Sequence, residues 1–286
     1  MQIHGAATLG FAKFDLDTSV KNLSSLGFKN VELSYQGTHS KHFPYKQVEP
    51  QTVLEVLSKN GVKPISMNIS TQRMDGDRPI HFDFANPVDA QEAVDQGQWY
   101  LQCAKEMDVR VVTLSTARRV LDDRWNTVMK PACAAFRRIA ETAGELGIAV
   151  NLEVPHLFQI ADTVDHTKAI FAEIDHPAVG ATVDSSHWGI SGYDPFEFFT
   201  WLGPRLRHVH LRDSSGADTK DEKQNLELTP GKGTVDFVKL RKALEHVQYE
   251  GRVTLDFEYK ITDLETIHNE YRQGLAELKR CGWEMA

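Results

Sequence analysis

The 286-residue sequence predicts an α/β fold, a (β/α)8 TIM barrel, with residues 1–286 forming one barrel domain. Short apolar, β-branched runs alternate with longer amphipathic segments from end to end, the pattern of parallel strands joined by helical crossovers. The repeating unit occurs eight times at about 31 to 36 residues, which suits a closed barrel. An open doubly wound sheet is the alternative, but no GxGxxG turn follows the first strand.

Strands are expected at Ile3–Leu9, Asn30–Leu33, Lys63–Asn68, Arg110–Leu114, Ala149–Glu153, Gly180–Asp184, His208–Leu211 and Arg252–Glu258. Helices are expected near 17–26, 50–59, 87–107, 125–146, 164–174, 194–202, 235–247 and 263–280. In the fourth of these, Val128, Ala132, Phe136, Ile139 and Ala143 recur at steps of three or four and make one apolar stripe. Gly27 and Gly147 stand where a helix must stop before a strand. Asp17, Thr163, Asp194 and Thr234 stand near helix starts, where a short oxygen side chain caps free N–H groups. Two connections are long, residues 70–86 and 214–233, and read either as functional lids or as solvated insertions.

Composition is that of a globular protein, 41% hydrophobic and 25% charged. A net charge of -8 argues against a protein that grips many nucleic-acid phosphates. Cys103, Cys133 and Cys281 form no CxxC pair and read as reduced thiols, which with the absence of a leader-like start implies a cytoplasmic protein. No apolar stretch approaches the ~20 residues that span a bilayer. Homo-oligomerisation is left open.

In a parallel barrel the strand C-termini converge on one face, and active sites form there. The last four expected strands end in NLE, TVD, HVHLRD and VTLDFEY, which present Glu153, Asp184, His210, Asp256 and Glu258 at one rim. Alone, a Glu after a strand is usually a helix N-terminal acid, and Asp184-Ser185-Ser186 reads as a capping turn. His208 and His210 share a strand face, so either is also readable as a core histidine. As a set, carboxylates crowded on one axis repel unless a cation compensates them. Carboxylates with one imidazole suit one divalent metal ion, Mn2+ first, with Mg2+, Co2+ or Zn2+ admitted.

NLEVPH, TVDSSHWGISG, HVHLRDS and GRVTLDFEY resemble the sugar-phosphate isomerase/epimerase family, the xylose-isomerase-like TIM barrels. LGFKNVELS and LQCAKEMDVRVVTL are similar to that family's second and fourth strand segments. The resemblance implies Glu153, Asp184 and His210 as metal ligands. Glu258 is the favoured fourth, being longer and nearer the strand end, with Asp256 the alternative. It also implies His187 as a substrate-orienting histidine, and Glu153 and Glu258 as the catalytic pair. Arg212 is read as a substrate contact or a ladder ion pair, and His156 as a substrate or supporting contact. Glu32 is expected to serve the barrel more than the pocket. Gly231-Lys232-Gly233 is expected to be a plain turn rather than a phosphate loop.

The activity implied is a metal-dependent isomerase or epimerase of a sugar, keto-sugar or cyclitol, working through an enediolate. A lyase on the same scaffold, an inosose or dehydroshikimate dehydratase or a sugar-eliminating enzyme, is the alternative. An apurinic endonuclease is disfavoured, because the third and fourth strands run into Asn68-Ile69 and Ser115-Thr116 where histidines are needed. A non-catalytic barrel is disfavoured because the ligand set is complete.

Overall fold

The structure, a computed structural model, describes residues 1–36, 42–76, 78–217 and 225–286. Eight parallel strands close into a barrel: β1 Gly5–Ala7, β2 Asn30–Tyr35, β3 Lys63–Ile69, β4 Val111–Leu114, β5 Ala149–Glu153, β6 Val179–Asp184, β7 Leu206–Leu211 and β8 Arg252–Leu255. The hydrogen-bonded order runs in sequence from β1 to β8, and β8 pairs with β1 to seal it.

Helices α1 Leu16–Ser25, α2 Pro50–Lys59, α3 Pro87–Glu106, α4 Asp122–Leu146, α5 Val164–Ile174, α6 Pro195–Leu202, α7 Phe237–His246 and α8 Leu264–Arg280 follow the eight strands in turn. Thr163 and Asp194 cap as expected, accepting from His166 N and from Phe196 N and Glu197 N. The other two caps differ from expectation. Asp15, not Asp17, caps α1, and Asp236, not Thr234, caps α7. Asp17 lies inside the first turn and pairs with Lys59, while Thr234 donates to Ser214 O. α4 ends at Gly147, whose φ of 67° is the left-handed conformation that a residue with a Cβ resists.

Between strands and helices lies one apolar layer, with Val112, Leu114, Val150, Leu152, Val183, Val209 and Leu211 all buried. The alternate residues of the same strands fill the barrel interior with polar groups. Thr113 Oγ1 of β4 and Thr182 Oγ1 of β6 meet at 2.7 Å although β5 lies between them, so both project inward. Asn151 Nδ2 donates to Thr182 Oγ1 from the intervening strand. A short strand Gln2–Ile3 pairs with Glu284–Met285, beside the fully buried Trp283.

The expected strand Arg252–Glu258 ends sooner, at Leu255, so Asp256 and Glu258 lie beyond it. Each long connection carries a two-stranded antiparallel hairpin, Gln72–Asp75 with Arg78–His81 and Asp213–Ser215 with Asn225–Leu228. Residue 77 and residues 218–224 of these connections fall outside the described residues. Among the described residues no helix is long and apolar enough to cross a membrane. Cys103, Cys133 and Cys281 are free thiols, and burial pushes the first two up to about 12.

Candidate active site

Glu153 and Asp184 are the last residues of β5 and β6, and His210 is the register partner of Asp184 on β7. Asp184 caps the short helix Ser185–Ser191: its Oδ1 accepts from Ser186 N and Ser186 Oγ, both at 2.7 Å. Its Oδ2 lies 2.8 Å from Arg212 Nε. Asp256 follows β8 directly and its N–H donates to Leu211 O, which holds the carboxylate beside β7. One potential liganding atom from each of Glu153, Asp184, His210 and Asp256 lies within 4.8 Å of the others.

The fourth member of this cluster is Asp256, whereas the favoured sequence expectation was Glu258. That expectation treated the two as alternate residues of one strand sharing a face. Because β8 stops at Leu255, the ladder's alternation does not hold either acid, and each takes its own partners. Glu258 Oε1 instead meets Arg212 Nη1 at 2.7 Å, on the wall of the cavity.

His210 is oriented from below. Its Nε2 lies 2.9 Å from Glu32 Oε1, while Nδ1 lies 3.3 Å from Asp256 and 3.4 Å from Glu153. Glu32 comes from β2 and reaches β7 past β1 and β8, so it crosses the barrel interior. Its other oxygen accepts from Ser66 Oγ at 2.7 Å and lies 2.9 Å from His208 Nε2. A carboxylate on one ring nitrogen fixes the tautomer and presents the other nitrogen to a cation. Burial works to raise the Glu32 carboxyl, but the facing His210 and His208 outweigh it and hold it well below the usual range. For His210 burial works downward, and Glu32 with Asp256 overrides it to leave the imidazole well above its ordinary value.

The donor chemistry fits a hard divalent cation. Three carboxylates and one imidazole nitrogen converge, and Asp256 Oδ1 is buried without a hydrogen-bonding partner. The carboxylates of Glu32, Glu153, Asp184, Asp256 and Glu258 outnumber the cationic groups among them, Arg212 and His210. Burial raises Asp256 well above the ordinary carboxyl range, despite the pull of His210 and Arg212. A cation in the cluster would offset that cost.

Arg212, expected as a substrate contact or an ion pair, is buried and bridges Asp184 at 2.8 Å and Glu258 at 2.7 Å. Its Nε also donates to Ser186 Oγ. His187 Nδ1 accepts from Leu157 N, so the proton sits on Nε2, which is buried and has no hydrogen-bonding partner. Burial first, then Arg212, hold this ring neutral. His156 packs against it with ring centroids 3.9 Å apart and the planes tilted by 37°, and burial drives its pKa to about 3. His156, His187, Glu153, Arg212 and Glu258 all line one cavity of about 650 Å3. Asn68, Ser115 and Thr116 line it as neutral groups.

Both hairpins add wall residues, Pro79 and His81 from the first, Leu226 and Glu227 from the second. The Gly231-Lys232-Gly233 turn is committed elsewhere: Gly231 N and Gly233 N donate to Asp213 Oδ2 at 2.9 and 2.8 Å. Two groups exceed what sequence reasoning assigned to them. Glu32 touches a cluster residue directly, and the pairing of two histidines on one strand face was the signal that a buried acceptor was needed. Arg118, which lines the cavity, carried no sequence signal.

The pattern described as xylose isomerase-like TIM barrel matches residues 20–281. The chain is 30% identical to the ketose 3-epimerase of Arthrobacter globiformis over 125 residues, 43% of this chain and 39% of that protein. It is 22% identical to the inosose dehydratase of Lacticaseibacillus casei over 148 residues, 48% of each. The chain thus spans less than half the length of these two relatives. The solved structure of the 3-keto-D-glucoside 4-epimerase of E. coli superposes with a TM-score of 0.74 at 17% identity, covering 98% of this chain and 100% of that one. With the family pattern covering all but the two ends, the chain belongs to the xylose isomerase-like TIM barrel family.

Proposed function

We propose that the protein is a divalent-metal-dependent epimerase of a keto-sugar or related cyclitol, removing a proton from the carbon next to a carbonyl to give an enediolate. The observation that carries this reading is the convergence of Glu153, Asp184, His210 and Asp256 within 4.8 Å beside a cavity lined by Glu153 and a further carboxylate, Glu258. The epimerase among the sequence relatives supports the same reading.

A divalent ion held by the four groups, Mn2+ being our first choice, supplies Lewis-acid stabilisation of the charge that develops on the substrate oxygens. The chain's own groups do the rest. His187, neutral and carrying its proton on the unpartnered Nε2, donates a hydrogen bond to a substrate oxygen. Glu153 and Glu258 both face the cavity and exchange the proton with the substrate carbon, one on each face. Arg212 keeps Glu258 in place through their 2.7 Å contact. His156, packed against His187 at 3.9 Å between ring centroids, limits that ring's movement.

Incubation with Mn2+ and a panel of ketoses in D2O tests the proposal. Deuterium at the carbon next to the carbonyl, with the epimeric sugar appearing, is expected. Loss of water from an inosose or dehydroshikimate, without exchange into any ketose, would replace it with the lyase reading.

A further inference from the structure

The cavity extends well beyond the strand-end cluster. At about 650 Å3 it falls among pockets that hold drug-sized ligands, about 300–1,000 Å3, and offers more room than a free hexose fills. Its wall also includes the hairpin that ends at His81 and the segment after β4, which carries the exposed Arg118.

Arg118 is exposed, and its Nη2 donates to His81 Nε2 at 2.5 Å. The imidazole is a neutral acceptor, because burial and then the adjacent guanidinium both push His81 down. It therefore steadies the guanidinium without cancelling its charge. Among the described residues no carboxylate forms an ion pair with Arg118, whereas the next residue, Arg119, meets Asp162 at 2.7 Å. A second groove of about 210 Å3 also has Arg118 and His81 in its wall and runs on to Arg124, with Asp83 as its acid. Arg118 therefore stands where the two spaces meet, a fixed planar fork with donors to spare.

We propose that the keto-sugar taken by this site bears an appended group ending in an anion, a carboxylate or a phosphate, and that Arg118, steadied by His81, holds that anion. This rests on the epimerase reading and adds the substrate class to it. A guanidinium binds either anion through paired N–H donors, and both sources share that chemistry. With the reacting end at Glu153 and Glu258, the anion selects substrate and takes no part in proton transfer.

The experiment compares kcat/KM for D-fructose, D-fructose 6-phosphate, a ketose ether-linked to a carboxylic acid and the matching amide. Each is measured with Mn2+ in the wild type, Arg118→Gln and Arg118→Lys. In the wild type an anion-bearing sugar is preferred over its uncharged counterpart, and raised salt narrows the preference. Phosphate and carboxylate arms show which anion the rim accepts. In Arg118→Gln the preference falls about 10- to 100-fold, mainly through KM, and Arg118→Lys recovers part of it. The same preference in wild type and Arg118→Gln, or none in the wild type, overturns the proposal. If no sugar is turned over, calorimetric binding of the same four compounds reads the same ratio. Failed exchange then counts against the epimerase reading, and an unchanged binding ratio counts against the anion site.

Discussion

Glu32→Gln keeps the volume of a fully buried side chain and removes its charge. In the native barrel one Glu32 oxygen serves Ser66 Oγ at 2.7 Å and His208 Nε2 at 2.9 Å, and the other lies 2.9 Å from His210 Nε2. The amide keeps one oxygen as acceptor, but its NH2 then points at a donor. A buried donor left without an acceptor costs about 1–3 kcal/mol, and removing one partner of a buried ionic pair costs about 3–5 kcal/mol. We expect the metal-free variant to lose about 3 kcal/mol, lowering Tm by about 5–10 °C for a chain of this size. The second effect is on His210, whose Nδ1 is aimed at the cluster only while Nε2 is held. Losing such a supporting carboxylate weakens metal affinity about 10- to 100-fold, or about 1.4–2.8 kcal/mol. Scanning calorimetry in chelator reads the first effect and Mn2+ titration of the stripped protein reads the second. Mn2+ affinity within about twofold of wild type, with Tm lowered, would refute the coupling and leave Glu32 a barrel residue only.

His42 and the rim acids give two further expectations. Burial holds His42 down at about 4, with its Nε2 against Phe14 O and Ser19 Oγ, so it stays neutral in the folded chain while the unfolded chain takes up a proton near 6.5. Its contribution is therefore complete above about pH 6.5 and is lost as pH falls to about 4, by about 1.4 kcal/mol per pH unit and about 3 kcal/mol in all. Urea midpoints against pH should show a shallower acid limb in His42→Gln than in wild type, and parallel limbs would contradict this. Asp256→Asn should abolish retention of Mn2+ through gel filtration, whereas Glu258→Gln should retain the ion and lose exchange activity. The reverse pattern would return Glu258 to the ligand set.

The barrel was legible because its signal is repetitive. Each strand end predicted at a carboxylate or His, from Glu153 through His210, lies within a residue or two of its place, since an apolar run of four to six residues between amphipathic helices has few other ways to fold. The first and eighth strands were the exceptions: of the expected Ile3–Leu9 only Gly5–Ala7 joins the barrel, with Ile3 paired to Met285 and Thr8–Phe11 forming a 3-10 turn. VTLDFEY continues the alternation on paper, but pairing stops at Leu255 and each acid then follows its own partners, the cluster for Asp256 and Arg212 for Glu258. Glu32 was undervalued because a sequence does not show which strands face each other across a barrel. The two hairpins escaped notice since QRMD, RPIH and NLEL are short, polar and marginal as isolated strands. Asp15 and Asp236 cap helices whose starts sequence periodicity misplaced by a residue or two.

Metal-dependent exchange of a substrate proton is the most direct measure of whether this strand-end cluster does carbon-acid chemistry. The protein is stripped with chelator, divided, and one half is reloaded with Mn2+ before both meet a keto-sugar in D2O, with deuterium at the carbon beside the carbonyl read by NMR. Uptake in the reloaded half alone, absent from Asp256→Asn treated the same way, is the result expected. Equal uptake in the stripped and reloaded halves would contradict a metal-assisted reaction at Glu153, Asp184, His210 and Asp256.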